Sequence, residues 1–407
     1  MRIGLFTDTY PPYINGVSTS TMMLKKALEK EGHRVYVVTV NPDELKFTYE
    51  EKERILRMPG VPTGIYDYRL TEIYSVKALS YIKKWHLDVI HTQTEFGVGT
   101  FARIIAKQYK IPLVHTYHTM YEDYIGYITK GHFDKSSKKL VEYFTKFYCD
   151  KTVEELIVPT KKTYELFKEK YNYDRNIHII PTGIEIERFY DENVNKKRVK
   201  SIKEKWNIKD SDFIILYVGR LGYEKSIDLL IDSQPTFIKD NPNCKLMIVG
   251  DGPDLPKFQN QVKKLKIDNN VIFTGKVPWE DVPLYYNISN VFATASKTET
   301  QGLTVIEAMA SGRPVVCVDD ESFRNVVIDG LDGHLFKNKR QYKKIILDFL
   351  NAKEDIKKLG NQARVSSEVY SSKYFAKRAL DVYELAIKKC AKKSFKDKLK
   401  EVVYGKK

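Results

Sequence analysis

Two glutamates eight positions apart, Glu299 and Glu307, fall in the run ASKTETQGLTVIEAMASG at 295–312. Glu299 follows a strand-like segment, VFATAS. Glu307 sits among Leu303, Val305, Ile306, Ala308, Met309 and Ala310, on a helix fenced by Gly302 and Gly312. A carboxylate buried there without partners is costly, so Glu307 needs donors, and ribose hydroxyls suit. The alternatives are helix-dipole stabilisation or a salt bridge to Arg313. The backbone N–H groups of Thr300, Gln301, Gly302 and Leu303 would open the helix, and a helix start is an anion site by geometry and dipole. Because the eight-residue spacing spans a strand-to-helix turn, the two carboxylates need not act as an acid–base pair.

Cations stand elsewhere. In VGRLGYEKS (218–226) a strand ends and presents Arg220 and Lys225. Arg brings a planar donor fork and Lys a compact charge, so together they can neutralise a diphosphate; the alternative is a pair of surface cations. In HTYHTMYEDY (115–124), His118 lies just past a strand end, where it can serve a sugar hydroxyl or simply cap the strand. In TDTYPPYINGVS (7–18), Gly16 would let backbone N–H groups approach an anion at a helix start, unless this is an ordinary strand-to-helix loop. GDGPDL (250–255) lacks the spacing of a dinucleotide loop and reads as a tight turn. The DSD at 210–212 matches a metal–diphosphate chelate, but it precedes a strand, far from the ligand edge of a parallel sheet. No metal role is expected for it.

These residues need a scaffold. Short apolar runs recur: IGLF, VYVVTV, DVIH, LVHT, ELIV and IHII, then FIILYVG, KLMIVG, VIFTG, VFATA and PVVCV. Each suits a parallel strand buried on both faces. The stretches between, such as 19–31 and 98–109, have room for crossover helices. The pattern predicts an α/β fold of two Rossmann-like, βαβ-rich domains. The halves meet near 185–195, around PTGIEIERFY and the lysine-rich stretch 193–209, which reads as a linker and a surface helix. The domains are then 1–185 and 186–372, with a helical segment and basic tail at 373–407. A functional cleft is expected between them, at the carboxyl ends of the strands.

The 407 residues are 42% apolar and carry a net charge of +15, which favours a polyanionic partner. Cys149, Cys244, Cys317 and Cys390 are scattered, so neither a zinc site nor a disulfide framework is indicated. This is the profile of a reducing compartment. Met1 leads straight into RIGLF, so no secretory leader is expected. No apolar run reaches about 18 residues, and membrane contact would be peripheral. The segment 388–407 carries nine lysines, with Ala391, Phe395, Leu399 and Val402 at helical spacing. Such a helix can lie on an anionic bilayer or pack one face on the protein.

Taken in order, these motifs resemble the retaining family-4 glycosyltransferases of the GT-B fold. The resemblance rests on the E-x7-E from Glu299 to Glu307 with QGLTVIEAMASGRPVV, on YVGRLGYEKSIDLLI and IVGDGP, and on TDTYPPYINGVSTS and PTGIEIERF. RMPGVPTGIYDYRLT, HTQTEFGVG and HTYHTMYEDY resemble bacterial diacylglycerol glucosyltransferases, although Thr63-Gly64 thins the aromatic and proline character of loop 58–65. The resemblance implies glucose transfer from UDP-glucose to diacylglycerol, giving an α-glucoside. It assigns the donor diphosphate to Arg220 and Lys225 and the ribose to Glu307. Sugar and phosphate fall to Glu299 and Thr300, Gln301, Gly302 and Leu303. Gly16 closes over the diphosphate and His118 lies near sugar and acceptor. No cofactor is required and no nucleic acid is expected. The enzyme would be cytoplasmic, peripheral on the inner face of the cell membrane. Its docking surfaces would come from 68–85, 135–148 and the tail. The alternatives are a soluble or polymer acceptor, another sugar donor, or a non-catalytic basic binding protein on the same scaffold.

Overall fold

The computed structural model describes residues 1–13, 15–62, 69–118, 143, 145–146, 148–149, 152–297, 299, 301–352 and 355–404, of which 393–404 are described as backbone only. Most of the 135–148 segment, the part of HTYHTMYEDY beyond His118, Thr63-Gly64 and the tail side chains from Lys393 onward lie outside the described residues. The chain divides into two compact units, Met1–Gly183 with Ser372–Lys407, and Ile184–Ser371.

In the first unit, strands β1 (Arg2–Phe6), β2 (Arg34–Val40), β3 (Thr48–Glu50) and β4 (Ile55–Met58) precede a small hairpin of β5 (Val61–Pro62) and β6 (Arg69–Leu70). Strands β7 (Val89–Thr92), β8 (Leu113–Thr116), β9 (Glu155–Val158) and β10 (Ile177–Ile179) follow. Among the described residues the main sheet runs β10-β9-β8-β7-β1-β2-β4-β3. Every neighbour pair is parallel except β3 with β4. Alternation along each strand sends side chains to two separate cores. Ile3, Leu5, Val35 and Val37 pack with Phe375, Ala379, Val382 and Tyr383 of the C-terminal helix Ser372–Tyr404. Phe6, Val38, Val40 and Ile90 pack on the other face, with Ile82 and Trp85 of helix Val76–Trp85 and Phe101 and Ile105 of helix Gly97–Tyr109.

In the second unit, β11 (Phe213–Val218), β12 (Cys244–Val249), β13 (Val271–Gly275), β14 (Val291–Thr294), β15 (Val315–Val318) and β16 (Gly333–Phe336) are all parallel. Their order is β13-β12-β11-β14-β15-β16. The strand order reverses between β11 and β14 here, and between β1 and β7 in the first unit. Ligands of doubly wound sheets settle at the carboxyl ends of such strand pairs.

The apolar runs all form strands. β4 and β16 carry no uninterrupted apolar run: in β4 Arg57 interrupts ILRM, and β16 opens on Gly333 and His334. The surface helix of 193–209 is Lys196–Lys205, capped by the Asn195 side chain, with only Val199 buried. The carboxylates of the DSD are taken by lysines: Asp212 lies 2.6 Å from Lys245 Nζ and Asp210 3.0 Å from Lys203 Nζ, at the amino end of β11. Among the described residues no helix is long and apolar enough to cross a membrane. In the 68–85 segment, Trp85 is core and Tyr81 packs against it, whereas Ile73 and Val76 are exposed.

Candidate active site

β11 runs out at Val218 into Gly219–Gly222, a 3₁₀ turn at Tyr223–Lys225 and helix Ile227–Ile238. The GDGP loop straps this exit. Leu221 N–H donates to Asp251 O at 2.9 Å, and Asp254 N–H to Leu221 O at 3.1 Å. A Cβ on Gly250 would stand 1.9 Å from Gly219 O, and one on Gly252 would stand 2.3 Å from Leu221 O. GDGP is therefore a support for the Arg220 loop rather than a phosphate loop of its own. From below, Tyr217 OH donates to Arg220 O at 3.1 Å.

The two cations have different partners. The Arg220 guanidinium is largely exposed and donates to the Glu224 carboxylate. Lys225 Nζ lies 2.5 Å from Glu299 Oε1. Ser322 Oγ donates to Glu299 O and fixes the backbone at the exit of β14. Thr300 lies outside the described residues. Gln301 is buried, and Gly302 has φ +70°, a left-handed conformation that suits glycine. A Cβ there would also stand 2.7 Å from the Phe323 ring. Gly302 caps helix Leu303–Ala310 with no side-chain hydrogen bond. The first N–H groups of that helix therefore have no side-chain cap, as an anion site requires.

Glu307 is half-buried one turn along. It makes no pair with Arg313, contrary to the alternative drawn from the sequence. The Arg313 guanidinium goes instead to Asp191 at 3.0 Å and to the carbonyls of Tyr286 and Asn287. Glu307 Oε2 lies 2.9 Å from Tyr286 OH, which is also 3.0 Å from Thr304 O. Burial pushes the Glu307 pKa up to about 7, against the lowering effects of the Tyr286 hydroxyl and the Arg188 charge. Arg188 is stacked 3.3 Å from the centre of the Trp279 ring. Tyr286, Arg188 and Ser322 escaped the sequence reading because each is far along the chain from the group it serves.

The first unit has its own polar cluster at the ends of β1, β7 and β8. Asp8 accepts from Val98 N–H at 2.9 Å and from Thr94 OH at 2.5 Å, tying β1 to the start of helix Gly97–Tyr109. His115 Nε2 lies 2.9 Å from Glu95 Oε1, and His91 bridges Tyr383 OH and Thr116 OH at 2.7 Å each. His118 Nε2 lies 2.7 Å from Gln93 Oε1. Burial draws the His118 pKa down to about 4, with Glu95 opposing and His115 adding, so the ring is neutral at pH 7. Gly16 is the first residue of helix Gly16–Lys30, whose start is capped by Asn15 Oδ1 at 2.9 Å from Ser18 N. A Cβ on Gly16 would meet nothing within 4 Å. Packing within the unit therefore does not demand glycine there.

Two family models cover most of the chain: Glycosyltransferase Family 4 matches residues 14–188, and Glycosyl transferases group 1 matches residues 199–366. The alpha-monoglucosyldiacylglycerol synthase of Streptococcus pneumoniae is 37% identical over 390 residues, 95% of this chain and 86% of that one. The synthase of the same name from Acholeplasma laidlawii is 35% identical over 399 residues, 97% and 99% of the two chains. The chain belongs to glycosyltransferase family 4. Among solved structures, Anabaena HepE in complex with UDP-glucose matches with a TM-score of 0.69 at 16% identity, over 94% of this chain and 99% of that one. Sucrose-phosphate synthase from Thermosynechococcus elongatus matches at 0.70 and 20%, over 94% and 98%. The transferase thus has the GT-B fold, and its two units are the two Rossmann-like domains of that fold.

Proposed function

We propose that this transferase moves glucose from UDP-glucose to the free hydroxyl of membrane diacylglycerol, with retention, making an alpha-monoglucosyldiacylglycerol. The observation that carries the reading is the meeting of Lys225 and Glu299 beside an uncapped helix start, at the switch point of the second sheet. That edge offers a cation and backbone donors for a diphosphate, and carboxylates for sugar hydroxyls. Full-length similarity to two synthases named for this lipid supports the acceptor.

In the reaction, the bond from the anomeric carbon to the UDP oxygen breaks as the acceptor oxygen bonds to the same face of that carbon. The acceptor proton passes to the departing phosphate oxygen. Arg220, Lys225 and the start of helix Leu303–Ala310 stabilise the charge that builds on UDP, which is where such sites contribute most. These groups can fill the role a metal plays elsewhere, so no metal is required. Glu307 takes the ribose hydroxyls, and Glu299 takes the sugar. Neutral His118 is assigned to the sugar and acceptor, and Gly16 to the loop that would close over the diphosphate.

The acceptor stays in the bilayer, so the enzyme comes to it as a peripheral protein on the inner face. Net charge +15 and the exposed Ile73 and Val76 support that placement. The test is transfer of labelled sugar from UDP-glucose and from UDP-galactose to diacylglycerol in mixed micelles, with NMR of the product's anomeric proton. The expected product is an α-glucosyl lipid. Label found only in water-soluble product would overturn the acceptor, a β-linked product the retention, and preference for UDP-galactose the donor.

A further inference from the structure

The first unit holds a buried amide that the reading above does not use. Gln93 follows β7 and is 2% exposed. Its backbone is fixed, with Gln93 N–H donating to Phe6 O at 2.8 Å. The next residue, Thr94, is clamped in both directions by Asp8: Asp8 N–H donates to Thr94 Oγ1 at 2.9 Å, and Thr94 OH to the Asp8 carboxylate. The Gln93 side chain therefore leaves a rigid corner. Its Oε1 meets His118 Nε2 at 2.7 Å, while its Nε2 is buried with no hydrogen-bond partner among the described residues. His118 Nδ1 makes no hydrogen bond to any described residue.

We propose that Gln93 is a positioning residue for His118, holding the ring in the tautomer protonated at Nε2 and leaving the Nδ1 lone pair to accept from a substrate hydroxyl. The chemistry is one of exclusion. An amide oxygen can only accept, so Nε2 must carry the proton, and a neutral imidazole then has its acceptor at Nδ1. The ring is neutral because burial opposes its charge. Among the described residues, the titratable groups facing it are Glu95 and His115, with His91 behind. Glu95 has its own partner in His115. Gln93 thus orients the ring without adding a charge that would raise its pKa, which a carboxylate at the same place would do. The proposal rests on His118 serving the substrate, as argued under the proposed function.

The experiment compares Gln93→Leu, Gln93→Glu, His118→Ala and the Gln93→Leu/His118→Ala pair in the full-length enzyme, each checked by its thermal melt. The 15N shifts of the His118 ring separate a protonated from a bare nitrogen. They are expected to show Nε2–H in the wild type and a mixture in Gln93→Leu. Gln93→Leu is expected to lower kcat at least tenfold with KM for UDP-glucose within twofold, and to add nothing in the His118→Ala background. Gln93→Glu keeps the tautomer but raises the ring pKa, so its kcat at saturating UDP-glucose, where the Glu307 limb of donor binding is suppressed, should match the wild type above pH 8 and fall on an acid limb at least one pH unit higher. A bare Nε2 in the wild type, an unchanged pH profile in Gln93→Glu, or full activity in Gln93→Leu overturns the proposal. Full activity in His118→Ala instead overturns the role given to His118 itself. That outcome is separable, because the ring shifts report the tautomer whatever the activity.

Discussion

Lys225 Nζ and Glu299 Oε1 stand 2.5 Å apart, joining the loops that leave β11 and β14, the two strands between which the sheet order reverses. A diphosphate that takes the ammonium competes with Glu299 for it, so the two residues should separate in their kinetics. Lys225→Ala is expected to lower kcat/KM for UDP-glucose more than tenfold, about 1.4 kcal/mol of transition-state stabilisation. Glu299→Gln removes the competing charge while losing the sugar contact. It should bind UDP at least as tightly as the wild type by calorimetry, yet transfer glucose at least tenfold more slowly. Weaker UDP binding in Glu299→Gln would mean that Glu299 orients Lys225 for the phosphate instead.

Glu307 gives the donor site a pH dependence whose sign is set by its raised pKa of about 7. On the proposed assignment ribose hydroxyls donate to the carboxylate, so the ionised form binds and the protonated form must first lose its proton. UDP-glucose affinity should therefore fall as pH drops below 7, approaching tenfold per unit, and be level above pH 8. The diphosphate of UDP-glucose is already diesterified, so the ligand adds no titration of its own near neutrality. Calorimetry between pH 5.5 and 8.5, in buffers of different ionisation enthalpy, should detect proton release on binding. In Glu307→Gln the release should vanish. In Tyr286→Phe, which loses the hydroxyl 2.9 Å from the carboxylate, the limb should move to higher pH. A flat wild-type profile would remove Glu307 from the ribose.

What the sequence made legible follows from where the information lies. Strands buried on both faces are written as uninterrupted apolar runs, so β1, β2, β7, β8, β9, β11, β12, β14 and β15 could be read directly, and the edge strands β10 and β13 are less buried yet carry runs of the same kind. Arg57 hid β4: its Nε reaches Glu50 at 2.5 Å and its Nη2 reaches Pro11 O at 3.0 Å, so a charged residue occupies a strand on account of contacts 7 and 46 residues away. The candidate segment stood out for the opposite reason, since Glu299, Gly302 and Glu307 are close in sequence. Their partners did not. Tyr286 reaches Glu307 from helix Val282–Ile288 to helix Leu303–Ala310, and Gln93 reaches His118 because β7 and β8 are neighbours in the sheet. Arg313 looked like a partner for Glu307 by proximity in sequence, but its guanidinium points to Asp191.

The glycines of GDGP offer a structural prediction. Gly250 has φ +139°, and a Cβ there would collide with Gly219 O at 1.9 Å. Gly250→Ala must part the two loops, at a cost of about 1–3 kcal/mol in local strain. It should lower the melting temperature and weaken UDP binding at least fivefold by displacing Arg220. Gly330→Ala is the control, because Gly330 has φ +77° but open space around its Cβ. It should lose stability with UDP affinity within twofold. Equal UDP binding by the two variants would mean that GDGP does not support the donor site.

The proposed docking face can be tested without touching the candidate donor site. Val61 and Leu70 pair across the β5–β6 hairpin, Thr71 OH donates to Pro59 O at 2.6 Å, and a Cβ on Gly97 would stand 2.8 Å from Thr71 O. Ile73 and Val76 continue the chain from the hairpin, 59% and 74% exposed. An exposed apolar group of this kind needs a partner surface, and Lys77, Lys83 and Lys84 of the adjoining helix offer an anionic bilayer its counter-charge. Ile73→Asp/Val76→Asp is therefore expected to lower binding to anionic vesicles at least tenfold in flotation, and to lower transfer to bilayer diacylglycerol in step. UDP-glucose affinity should stay within twofold, since neither residue lies in the second unit. Raising the salt should weaken what binding remains, because the lysine contribution is screened. Unchanged flotation of the double variant would move the docking surface away from this hairpin.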